Sequence, residues 1–154
     1  MEIINDRIRE KDALNGYILD GVPRTLKQIH LLDKVSQINL VLEINLKEEI
    51  LIEKALARRA CEKCGESYNL YSIDTKEYKM PPLLPKRTGH CDKCDGKLFQ
   101  RADDNREIIE KRLNLYKDNY GPIKRAYLER GLLQRFDLRL GVDKMWPILK
   151  SYFE

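Results

Sequence analysis

No run of apolar residues in this chain approaches the ~18 that a membrane-spanning helix needs. The opening Met1-Glu2-Ile3-Ile4-Asn5-Asp6 carries charge where an export signal would be apolar, so no signal peptide is expected. There is no internal repeat and no low-complexity tract. No Gly-x-x-x-x-Gly-Lys occurs, so a phosphate-cradling loop of that type is absent. Histidine is scarce: His30 lies in a polar helical stretch and His90 abuts Cys91. Neither forms a Ser-His or Cys-His arrangement suited to nucleophilic catalysis.

Cysteine is scarce too, but it is not scattered. All 4 cysteines fall in two Cys-x-x-Cys pairs, Cys61/Cys64 and Cys91/Cys94. Each pair can direct two thiolates at one tetrahedral ion, and Zn²⁺ takes four at about 2.3 Å. Gly65 and Gly96 follow the pairs and are expected to supply the tight turns. Disulfides are the other reading, and His90 a possible substitute ligand. Residues 65–90 separate the pairs, more than the ~15–20 of the common Cys₄ pattern. Pro81, Pro82 and Pro85 lie there, which reads as a loop inserted into a metal ribbon. Paired cysteines without export favour a reducing compartment and a metal.

At 154 residues and 42% hydrophobic, the chain suits one domain with a small inserted subdomain. Its 29 basic and 25 acidic residues leave a net charge of +4, which suits an anionic ligand without demanding nucleic acid.

The pattern predicts a helix over 2–13 stopped by Asn15-Gly16, a short strand Tyr17–Asp20, and a turn Gly21–Thr25. A helix to about Val35 and a strand Leu40–Ile44 follow; the strand's apolar run implies burial on both faces. A helix Lys47–Arg59 leads into the metal segment. Beyond Arg101, Asp104 with Glu107 reads as a capping box. Ile108, Ile109, Arg112, Leu113, Tyr116 and Tyr120 then share one helical face, interrupted at Gly121-Pro122. A strand Leu132–Leu138 and a helix Gly141–Tyr152 close the chain. Helices alternating with strands predict an α/β fold with a parallel sheet, the ribbon hanging from one crossover.

Asp20 ends a strand, where ligands of parallel sheets gather, and a carboxylate there can hold the waters of a hydrated Mg²⁺. Arg24 can grip a phosphate bidentately. The plain alternative is a turn carrying a surface arginine. Arg58 and Arg101 flank the ribbon, and Arg112 lies one helix beyond. Converging, they suit a polyphosphate; otherwise they are salt bridges to Asp103 and Asp104. Phosphoryl transfer needs positioning and charge neutralisation more than nucleophilic side chains, which accords with the missing histidine chemistry.

Several pieces now combine: Gly16-Tyr-Ile-Leu-Asp-Gly-Val-Pro-Arg-Thr25 with Gln28, Arg58-Arg59-Ala-Cys-Glu-Lys-Cys-Gly-Glu-Ser-Tyr68-Asn69, Cys91-Asp-Lys-Cys94, Leu98-Phe-Gln-Arg101-Ala-Asp-Asp104, Lys111-Arg112-Leu113 and Tyr116. Along essentially the whole chain they resemble the adenylate kinase family of nucleoside monophosphate kinases. The resemblance implies a P-loop kinase core at 1–59 and 102–154, lacking the family's N-terminal phosphate-loop third. It also implies a zinc-bearing lid at 60–101, the ribbon that closes over the phosphate donor.

By the same resemblance, Asp20, Arg24, Arg58, Arg101 and Arg112 would be catalytic. Gly21, Val22, Pro23, Arg24, Gln28, Arg101 and Arg112 would bind AMP. Arg58, Ser67, Tyr68 and the backbone of Leu140 would bind the donor. Zn²⁺ on Cys61, Cys64, Cys91 and Cys94 would be structural, because four thiolates leave no open position. The lid's large apolar residues, chiefly Leu70, Tyr71, Tyr78, Leu83, Leu84 and Phe99, are too few to fold it alone. Mg²⁺ would accompany the donor. Lys54 stands where many members carry an arginine stacking on the donor base, and Lys144-Met-Trp-Pro147 is similar to the tail of the GTP:AMP phosphotransferase branch. Both ATP and GTP are therefore expected as candidate donors. A cytoplasmic monomer, inactive without a phosphate loop, is expected, with mitochondrial location if an upstream segment carries a signal.

Two rival readings stand beside it. One is a zinc-ribbon nucleic-acid binder using Lys86, Arg87, Lys93 and Lys97. The other is a non-catalytic relative that associates through an incomplete sheet.

Overall fold

Two parallel strands carry the α/β character of the chain. A computed structural model describes residues 2–153. Strand β1 (Val41–Asn45) pairs with β7 (Leu133–Asp137). The Val41 amide donates to the Leu132 carbonyl and the Leu138 amide to the Asn45 carbonyl, each at 2.9 Å, so both strands ascend together. Burial on both faces is not met. Most of β1 is only half-buried, and Ile44 is 58% exposed.

The chain divides into two compact units, Met1–Glu43 with Leu113–Gln134 and Ile44–Arg112 with Arg135–Glu154. In the first, the helix expected over 2–13 is broken into α1 (Glu2–Arg7) and a 3₁₀ turn at Lys11–Ala13. Arg7 spans the break to both carboxylate oxygens of Asp12, at 2.9 and 2.7 Å. Among the described residues the strand expected at Tyr17–Asp20 is not formed, and Tyr17–Leu19 has no regular secondary structure. Apolar residues favour a sheet only where a sheet accepts them, and Ile18 is 76% exposed. Helix α2 (Leu26–Leu32) ends before Val35 and buries Ile29 and Leu32 almost completely.

Helix α4 (Arg106–Glu129) runs 24 residues without the interruption expected at Gly121-Pro122. Proline forfeits one helical bond there, and the turns on either side carry the helix through. Its N-terminal cap is Asn105, whose Oδ1 accepts from the Ile108 amide at 3.0 Å. The expected cap, Asp104, is turned elsewhere.

In the second unit, α3 (Glu48–Leu56) stops three residues short of Arg59. Arg58 and Arg59 open strand β2 (Arg58–Cys61), which lies between β3 (Ser67–Asn69) and β6 (Leu98–Phe99) in an antiparallel sheet. Strands β4 (Ile73–Asp74) and β5 (Lys79–Met80) form a separate hairpin. Helix α5 (Val142–Lys150) follows β7.

Two apolar clusters serve this unit. Cys61, Tyr68 and Cys91 pack with Cys94 and Leu98; Ile50, Tyr78 and Met80 pack with Leu46, Tyr71, Ile73 and Leu138. Tyr71 and Tyr78 thus pack on α3 and the end of β7, not on the ribbon. Leu70, Leu83, Leu84 and Phe99 stay about half exposed. Inside the ribbon the cysteines are joined only by Tyr68 and Leu98, and each fully buried apolar side chain adds only about 1.5–3 kcal/mol.

Candidate functional site

The turn of the first unit is built from residue 20 onward. Asp20 is exposed at a bend just before Gly21. Gly21 has φ +76°, and a Cβ there would lie 2.7 Å from the Arg24 Nη2. The left-handed backbone favours glycine, and the bare Cα leaves room for the guanidinium folded over it. Thr25 caps α2 by accepting from the Gln28 amide at 3.2 Å, while Gln28 Oε1 accepts from the Arg24 amide at 2.5 Å. Gly21, Val22, Pro23, Arg24 and Gln28 therefore form one closed turn. The Thr-x-x-Gln spacing is legible in the sequence as a capping-box pattern, although Gln28 reaches the Arg24 amide rather than that of the N-cap Thr25.

In the second unit, Arg58, Arg101 and Arg112 meet on two adjacent carboxylates. Arg58 grips Asp104 with two nitrogens: Nε lies 3.0 Å from Oδ2, and Nη2 makes a shorter contact to Oδ1. Asp104 is only 2% exposed. Hydrogen bonding from Arg58 holds its carboxyl below the usual range against the cost of burial. Arg101 reaches both oxygens of Asp103 at 3.1 and 3.2 Å, and Arg112 shares Oδ2 at 3.3 Å. Arg112 is exposed rather than on an inward apolar face. Three guanidinium charges against two carboxylates leave net positive charge at the base of the ribbon. Gln100 ties the same corner, its Nε2 donating to the carbonyls of Leu56 and Asp104 at 3.0 and 2.9 Å. Nothing in the sequence marks Gln100 for this work.

The sulfurs of Cys61, Cys64, Cys91 and Cys94 all lie within 4.8 Å of one another. The approach is 3.4 Å for Cys61–Cys94 and 3.6 Å for Cys64–Cys91. Ligands 2.3 Å from a tetrahedral ion are about 3.8 Å apart, so the four sulfurs fit Zn²⁺ with small adjustments. Amides of Lys63 and Lys93 donate to the sulfurs of Cys61 and Cys91, both at 3.4 Å. Gly65 takes the left-handed turn at φ +74°, as expected. In the second knuckle that conformation falls on Asp95 instead; Gly96 is needed because a Cβ there would lie 2.8 Å from the Cys61 sulfur.

Tyr68 is buried among these cysteines. Its hydroxyl accepts from the Asp92 amide at 2.7 Å and donates to the Cys91 sulfur at 3.6 Å. That bond raises the phenol to about 12. Ser67, beside it, is exposed. Lys54 is half-buried, and burial lowers its pKa. Leu140 lies after β7, bridged in parallel to Lys79.

A family model described as adenylate kinase matches residues 1–132. A protein of Oryza sativa subsp. japonica called probable adenylate kinase 1, chloroplastic, is 39% identical over 152 residues, covering 97% of this chain and 52% of its own. Probable adenylate kinase 6, chloroplastic, of Arabidopsis thaliana is 41% identical over 141 residues, 88% of this chain and 46% of its own. An adenylate kinase of Symbiobacterium thermophilum is 36% identical over 137 residues, 86% of this chain and 59% of its own. The chain spans about half the length of the curated plant relatives it matches.

Proposed function

The chain belongs to the adenylate kinase family, and on that premise we propose that it carries the acceptor-binding and lid parts of a reversible phosphoryl transfer from ATP or GTP to AMP. The observation that carries the proposal is the set of three arginines held on Asp103 and Asp104. Phosphate oxygens can take the place of the shared Asp103 carboxylate on Arg101 and Arg112 without a new side chain being ordered. Cationic stabilisation of a transferring phosphoryl group is worth ~10³–10⁵ in rate, about 4–7 kcal/mol.

In this reading Arg24 leaves its place over Gly21 to clamp the AMP phosphate, with Gly21, Val22 and Pro23 shaping the contact. Gln28, whose Oε1 is committed to the turn, meets the base through Nε2. Arg101 and Arg112 bridge the reacting phosphates and Arg58 holds the donor. Ser67 and the backbone of Tyr68 and Leu140 contact the donor as well. Asp20 orients the waters of Mg²⁺, which supplies charge neutralisation when bound.

Residues 60–101 act as the lid and 1–59 with 102–154 as the core. The ribbon holds Zn²⁺ as a structural ion through Cys61, Cys64, Cys91 and Cys94. Because the chain has no Gly-x-x-x-x-Gly-Lys, these residues bind nucleotides and do not turn them over alone. The relatives named chloroplastic favour an organelle over the cytoplasmic setting expected from the sequence. Among the described residues no helix is long and apolar enough to cross a membrane.

The test is thermal melting with two adenosines joined through a polyphosphate. An upward shift of several degrees that survives moderate salt is expected. No shift, with tight and steeply salt-dependent binding of an oligonucleotide instead, would replace the kinase reading by the nucleic-acid one.

A further inference from the structure

The inserted hairpin β4–β5 has no assigned work, yet it is joined closely to the segment after β7. The Lys79 amide donates to the Arg139 carbonyl at 2.8 Å, and Lys79 and Leu140 form a parallel bridge. In that register Lys79 pairs with the groups of residues 139 and 141, so the amide and carbonyl of Leu140 point away from the hairpin. Tyr78 and Met80 anchor the joint on Ile50 and Leu138, two residues before Leu140. Lys47, the residue before α3, adds a contact, its Nζ 5.1 Å from the Tyr78 ring centre and 2.5 Å from Glu77. At the other side Gly141 lies so close to Pro81 that a Cβ would meet Pro81 Cδ at 2.9 Å.

We propose that the hairpin Ile73–Met80, with Pro81, is a positioning element for the donor base. It holds Arg139–Gly141 flat against the inserted segment and thereby presents the backbone of Leu140 outward in one fixed orientation. The proposal rests on the reading of Leu140 as a donor contact, and it deepens that reading. A base edge recognised by one amide and one carbonyl demands that both be held still. A segment following a strand end would otherwise be free to rotate, and ordering it on binding would weaken the donor. The hairpin supplies that order beforehand.

Gly141→Ala is the sharpest probe. Its φ of −63° is accessible to alanine, so the only obstacle is Pro81. The measurement is the dissociation constant of the zinc-loaded chain for ATP, for GTP and for AMP, by calorimetry. Gly141→Ala is expected to weaken the donor about five- to tenfold, the size of one lost hydrogen bond, and to leave AMP unchanged. Adding Pro81→Gly, which removes the obstructing ring, is expected to restore the donor. Equal donor binding by wild type and Gly141→Ala would overturn the positioning role alone. So would a loss shared equally by AMP, or a loss that Pro81→Gly does not repair. Failure of the wild-type chain to bind either donor while it binds AMP would overturn the donor reading itself, and the inference with it.

Discussion

The carboxylate of Asp104, buried at the foot of the ribbon, grips Arg58 by two of its guanidinium nitrogens. Asp104 occupies the place where a helix cap was expected, and Asn105 caps in its stead. The exchange matters because it fixes Arg58 at the junction of α3 and β2 before any ligand arrives.

Replacing Asp104 with alanine strands a half-buried cation. A fully buried pair broken in this way costs about 3–5 kcal/mol, but Arg58 keeps part of its hydration, so about 1–2 kcal/mol is expected. Urea unfolding measures it. A change within error would show that Asp104 contributes little beyond packing.

The same pair sets a pH dependence. The folded Asp104 carboxyl titrates below its unfolded value, so its contribution is fully present above about pH 4 and is lost as pH falls through the lowered folded value. Stability of the wild type should therefore decline below about pH 4 more steeply than that of Asp104→Asn. Parallel acid limbs in the two proteins would contradict the assignment.

Arg101→Ala and Arg112→Ala should separate folding from binding. Both arginines share the half-exposed Asp103, and exposed ion pairs contribute about 0–1 kcal/mol. Each variant is expected to melt within a few degrees of wild type yet to lose most of the shift given by the polyphosphate-linked dinucleotide. Retention of the full shift in both would remove them from the phosphate site.

One zinc per chain is expected by elemental analysis, with Cys64→Ser reducing it and His90→Ala leaving it intact. Structural zinc is worth about 10–16 kcal/mol apparent in small peptides. Chelation should therefore open the ribbon to protease between Cys61 and Arg101. A protease pattern unaltered by chelation would mean that the ribbon does not depend on the ion.

Tyr68→Phe removes the hydroxyl that joins the Asp92 amide to the Cys91 sulfur. Partners of this kind, one step removed from the ion, typically alter metal affinity 10–100-fold. A loss in that range is expected in competition with a chromogenic chelator, with the dinucleotide shift preserved once zinc is saturating. Unchanged affinity would reduce Tyr68 to a packing residue.

The cysteine spacing, the Gly-Val-Pro-Arg turn and the arginines flanking the ribbon were legible in the residue string. Each is a short pattern whose chemistry depends on near neighbours. The strand expected at Tyr17–Asp20 does not form, because a ladder needs a partner and residue preference cannot supply one. The continuous α4 was misread because Pro122 was weighed by local preference, and the helix extends well beyond it on both sides. The extent of α3 was misread because pairing with β3 claims Arg58 and Arg59 for β2.

What the sequence determined alone was therefore chemical: four thiols in two knuckles, a glycine turn before an arginine, and cations at both ends of an insertion. Bond geometry within a few residues is enough for each. Only the tertiary structure decided which carboxylate holds which arginine, that Tyr68 turns its hydroxyl to a cysteine, and that the inserted hairpin clasps Arg139–Gly141. Arg58 with Asp104, Tyr68 with Cys91 and Lys79 with Arg139 are each tens of positions apart, and among many possible partners only packing brings one within bonding distance.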